Sequence, residues 1–76
     1  MDRITYISYV LHQSHNERLK ELALGLLNGT MTLREAESVS PIAEAEIKRA
    51  EQLYVNGEVD YHHVYQFVAE NMNIAS

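Results

Sequence analysis

The chain has no cysteine and no tryptophan, and few cations. Without cysteine it can form neither a disulfide nor a thiolate metal site, and a cysteine nucleophile is excluded. Six Lys and Arg stand against eleven Asp and Glu, a formal net charge of −5. Non-specific nucleic-acid affinity needs clustered cations that displace counterions, so this balance argues against it. No apolar run approaches the ~20 residues of a membrane span. The start, Met1-Asp2-Arg3, lacks the basic-then-apolar pattern of a signal peptide. A cytoplasmic location is expected. There is no Gly-rich phosphate loop, no Gly-x-Ser-x-Gly elbow and no His-Glu-x-x-His pair. The expectation is a non-enzymatic protein with no catalytic residue, no cofactor and no metal.

What is present points to helices. The 76 residues are 46% hydrophobic, enough for one small core and too apolar for a disordered tail. A core of this size yields only roughly 3–5 kcal/mol, so self-association or partner binding could complete it. The whole chain, 1–76, reads as a single all-α domain: a compact array of four to five short helices.

The punctuation is local and repetitive. Asp2 caps a first helix whose apolar stripe is Ile4, Ile7, Val10 and Leu11, with Tyr6 and Tyr9 on a neighbouring face. Ser14 and Glu17 have capping-box spacing, which favours a break near residue 14. No Gly or Pro intervenes, so one continuous helix over 3–27 is the alternative. Leu19, Leu22, Ala23, Leu26 and Leu27 mark the next apolar face, and Leu24 widens it. Gly25 suits a close helix–helix approach. Asn28-Gly29 ends this helix, because Gly accepts the left-handed conformation. Thr32 with Glu35 opens a short helix over 33–38, and Ser40-Pro41 opens another with Ala43, Ile47, Ala50 and Tyr54 inward and Leu53 adjacent. Asn56-Gly57 ends it. Asp60 caps the last helix, with Val59 and Val64 as a hydrophobic staple. Tyr61, Val64, Val68 and Met72 are expected inward, flanked by Tyr65 and Phe67, and residues 71–76 are expected to fray. The two Asn-Gly units read as repeated helix-end chemistry rather than duplication.

Three residue sets could carry function. Five of the six aromatics are Tyr. Tyr6 with Tyr9, and Tyr61 with Tyr65, fall at helical-neighbour spacings. Tyrosine joins a large apolar body to a polar tip, which suits a surface buried on association. The same residues could instead roof a small core with their hydroxyls in water. Tyr6, Tyr9, Tyr54, Tyr61 and Tyr65 are therefore the candidate partner contacts, with Glu44 and Glu46 as acidic neighbours. Glu44 and Glu46 are two apart and do not share a helix face, while Glu44 and Lys48 fit a surface ion pair. Four His are present. His12 and His15 share a face at i, i+3, but adjacent His62 and His63 diverge by about 100°. Exposed His near helix ends is the expectation.

The segments Met31-Thr32, Glu35-Ala36, Ile47 and Arg49-Ala50-Glu51, followed by Val64, Phe67 and Val68, resemble the helix-turn-helix domain of phage-repressor-type (XRE-like) regulators over residues 19–72. That resemblance implies a DNA-binding transcription regulator, with Arg34, Lys48 and Arg49 as the contacts available to DNA. Pro41 stands where the family has its turn glycine, and Glu37 where a small residue is usual. The groove-reading segment would be Ile42-Ala43-Glu44-Ala45-Glu46. Thr32 to Asp60 holds three basic and seven acidic residues, a net of −4. Carboxylates at that place would face phosphates. Tyr54-Val55-Asn56-Gly57-Glu58-Val59, with Ser40 and Glu44 spaced as Ser-x-x-x-Glu, is similar to small antitoxins that clamp Fic-type toxins, although Ala45 follows the Glu in place of Gly or Asn.

The leading expectation is a small regulator that docks a Tyr-rich, acidic helical surface onto a protein partner, in the manner of an antitoxin or phage-encoded inhibitor. Its charge suits a basic partner. A homodimer and a DNA-binding regulator are the alternatives.

Overall fold

Five helices and no strand make up the described part of the chain, residues 2–57 and 60–71 of a computed structural model. They are α1 (Arg3–His12), α2 (Glu17–Asn28), α3 (Leu33–Glu37), α4 (Pro41–Val55) and α5 (Tyr61–Asn71). The staple residue Val59 and the inward position of Met72 lie outside the described residues, as does the expected fraying of 71–76 except at Asn71, which is instead the last residue of α5 and donates from its side chain to Phe67 O at 2.9 Å.

Each helix begins where a side chain takes up orphan amides. The Asp2 carboxylate accepts from Thr5 N at 2.8 Å. Thr32 and Glu35 form a reciprocal capping box: Glu35 N donates to Thr32 Oγ1 at 3.2 Å and Thr32 N to Glu35 Oε1 at 3.0 Å. Ser40 Oγ accepts from Ala43 N at 3.1 Å, with Pro41 in the first turn. Asp60 Oδ1 accepts from His63 N at 3.3 Å.

The break near residue 14 is present, but Ser14 does not cap α2. Asn16 does, accepting from Arg18 N at 2.9 Å and Leu19 N at 3.4 Å. Asn16 sits directly before the first helical residue, where its amide oxygen reaches the second and third amides. Ser14 Oγ instead accepts from Asn16 N at 3.1 Å and holds the turn.

The first Asn-Gly unit ends α2 in a Schellman arrangement. Gly29 is left-handed, with φ 77°. Thr30 N reaches Gly25 O at 3.0 Å, and Gly29 N reaches Leu26 O at 3.4 Å. Gly57 repeats the left-handed conformation after α4, also with φ 77°. The neighbours of Gly25 belong to the loop after α2 rather than to another helix: a Cβ there would stand 3.4 Å from Met31 Cβ and from Thr30 Oγ1, a close but ordinary contact.

α1 is the central element. It packs on α2, α4 and α5, while α3 bridges α2 and α4. Ile7 and Leu11 are fully buried, joined by Leu22, Leu26, Ala36, Ile47 and Val64. Ser8 is also fully buried, and its hydroxyl donates to Ile4 O at 2.9 Å, so its polar atom is not stranded in the core. The body measures 35 × 27 × 21 Å, and its thinnest dimension fits only two layers of helices about 10 Å thick.

α5 is rotated relative to expectation. Val64 and Phe67 are its buried residues, Val68 is half-buried, and Tyr61 is exposed rather than inward. The cause is tertiary. The Phe67 ring lies against Tyr9 and His12 of α1, with centroids 6.0 and 4.9 Å away. That contact fixes the direction α5 presents to the core.

Candidate functional site

The five tyrosines divide into two groups. Tyr6 is 3% exposed and belongs to the core, so it offers no surface to a partner. Its periodic position on α1 places the ring between Tyr9 and Tyr54, at centroid distances of 6.2 and 5.8 Å. Tyr9 and Tyr54 are half-buried and pack against the same core. These three act as a roof over the α1–α4 junction.

Tyr61 and Tyr65 form the second group. They are 52% and 59% exposed, and their rings lie 6.3 Å apart one turn along α5. Two large amphipathic side chains thus stand together in water. Val55, at the end of α4, and Ile42, at its start, are also strongly exposed, and Val39 before α4 is exposed to a lesser degree.

The acidic candidates are occupied by their own helix. Glu44 pairs with Lys48 at 3.7 Å, and Glu46 pairs with Arg49 at 2.9 Å. Both are exposed pairs of the kind worth about 0.2–1 kcal/mol. Their larger effect is on what α4 presents. The two cations that a DNA-reading α4 would need are already matched to carboxylates. Arg34, the remaining DNA candidate, is exposed on α3 and makes no ion pair among the described residues. Elsewhere Arg3 reaches Glu51 at 4.0 Å and Lys20 reaches Glu17 at 3.9 Å.

Among the described residues, no set of three His, Asp or Glu could hold a metal ion. The His12 ring packs against Phe67 at a tilt, and His63 Nδ1 bonds the Asp60 carboxylate. That contact, with the amide bond from His63, holds the Asp60 carboxyl below its ordinary range. Hydrogen bonds from the Thr32 amide and hydroxyl do the same for Glu35.

Two of the shallow grooves on the bundle lie beside α1. One, about 210 Å³, runs between α1 and α5, with Tyr9, His12 and Phe67 on one side and His63, Gln66 and Glu70 among its other lining residues. It joins the two ends of the described chain, so no local sequence pattern announces it. Of its lining residues, His63 is tied to the cap Asp60, which the sequence did announce. The other groove, about 310 Å³, lies between the α1–α2 corner and α4, over Val10, Leu19 and Ile42, with the Glu46–Arg49 pair at its edge. No helix among the described residues is long and apolar enough to cross a membrane.

No family model, curated protein or solved structure matches the chain.

Proposed function

We propose that this chain is a small non-enzymatic regulatory protein that binds a partner protein and modulates or inhibits it, with α5 as the contact helix. The observation that carries this reading is the exposed Tyr61–Tyr65 pair. Buried tyrosines are explained by the core, but these two have no such role. Aromatic anchors of this kind concentrate binding energy in protein interfaces. The net charge of −5 favours a basic partner and speeds its encounter. An antitoxin or phage-encoded inhibitor acting in the cytoplasm fits this description. A symmetric homodimer through the same face is the competing outcome.

One observation favours a DNA-binding regulator as the second reading. α3 and α4 are joined by the three residues 38–40, as a helix-turn-helix requires. The pairing of Lys48 and Arg49 with Glu44 and Glu46 weighs against it.

The test is affinity capture from host lysate with the native chain and with Tyr61→Ser/Tyr65→Ser, alongside light scattering and a low-salt mobility-shift assay. A partner retained by the native chain and lost by the variant supports docking through α5. Retention by both forms overturns it. Duplex binding that weakens steeply with salt and is lost with Lys48→Gln/Arg49→Gln would establish the DNA reading instead.

A further inference from the structure

The α1–α5 groove has a composition that selects for one kind of side chain. Among the described residues its lining includes no Lys or Arg. Glu70 is exposed and makes no ion pair among the described residues, unlike the carboxylates of α4. Gln66 adds a carbonyl acceptor. His63 Nδ1 is bonded to the Asp60 carboxylate, which holds the ring at the mouth of the groove. The other side is aromatic: Tyr9 and His12 are half-buried and packed on Phe67.

A carboxylate without an ion pair, an amide acceptor and aromatic rings together match a planar cation. We propose that this groove receives an arginine side chain of the partner protein. The guanidinium stacks on Tyr9 and His12 and donates to Glu70 and the Gln66 carbonyl. Arginine fits better than lysine because its fixed fork serves several acceptors while its plane lies on a ring. The inference rests on the protein-docking reading and deepens it. The groove and the Tyr61–Tyr65 pair lie on opposite flanks of α5, so a basic partner would grip the helix from both sides.

The test uses the isotope-labelled full chain and no partner. Acetyl-arginine amide is titrated at physiological ionic strength, with acetyl-citrulline amide as the neutral isostere, and amide shifts are followed by NMR. The expected result is saturable shifts at Tyr9, His12, Phe67 and Glu70 with arginine and none with citrulline. Glu70→Gln should weaken the arginine response by about two- to fivefold, the range of an exposed charge pair. Glu21→Gln, an exposed carboxylate of α2, should leave it unchanged. An equal response to citrulline, shifts spread over all acidic helices, or indifference to Glu70→Gln overturns the proposal. Such a failure leaves the α5 docking reading to be decided by its own capture experiment.

Discussion

Replacing Phe67 with Ala should release α5 and leave the other helices folded. α5 packs mainly on α1, and Val64 and Phe67 are its buried side chains. Burying a Val or Phe contributes about 1.5–3 kcal/mol each, so the pair supplies about 3–6 kcal/mol toward ordering the helix. Truncating a buried Phe to Ala costs about 3–5 kcal/mol. Phe67 is 4% exposed and also loses its ring contacts with Tyr9 and His12, which places it within that range. The loss consumes most of what holds α5. It does not touch the α1 contacts with α2 and α4, where Ile7, Leu11 and Ile47 are fully buried. Amide hydrogen exchange read by NMR checks this. In Phe67→Ala, α5 amides should exchange at unfolded rates while Ile7 and Leu11 amides stay protected. Far-ultraviolet circular dichroism should lose the signal of one eleven-residue helix. Loss of protection in α1 and α5 together, in one transition, would refute the reasoning and make α5 integral to the cooperative unit.

Asn16→Ala should destabilise the chain by about 1 kcal/mol, the usual loss for a helix N-cap, and Ser14→Ala by clearly less; urea denaturation of the two variants decides whether Asn16 is the cap. Stability should fall with acid through the carboxyls of Glu35 and Asp60. Both are held below their ordinary values in the fold, so the unfolded chain binds more protons in the acidic range and stability rises with pH there. Their contribution is complete above the ordinary carboxylate range and is lost as the pH falls through the lowered values. Thermal melts of Glu35→Gln across that range should show a shallower acid limb than the native chain, and an identical slope would contradict this.

The helix array was legible because its signals are local. Asp2, Thr32 with Glu35, Ser40-Pro41, both Asn-Gly units and Asp60 each act within a few residues, and the chain obeys them. The Ser14–Asn16 choice was not legible. Both side chains can cap, and the outcome depends on where the backbone first turns helical. Burial of the tyrosines was half legible. Tyr6 and Tyr61 have the same chemistry, yet one is in the core and the other in water. The difference follows from which helix meets them. α1 is surrounded on several sides, so even a flanking position is covered. α5 rests mainly on one neighbour, and the Phe67–His12 contact turns Tyr61 and Tyr65 outward. The α1–α5 groove was invisible for the same reason, since residues far apart in sequence build it. The helix-turn-helix resemblance rested on spacing, and spacing says nothing about which cations are already engaged. The pairs on α4 answer that question only in three dimensions.

The central claim is that α5, through Tyr61 and Tyr65, is where a partner protein lands. Hydrogen-exchange mass spectrometry of the native chain, free and bound to its captured partner, tests it most directly. Slowed exchange concentrated over Tyr61–Asn71 is the predicted footprint. Protection confined to α3 and α4, with α5 unchanged, would contradict the account.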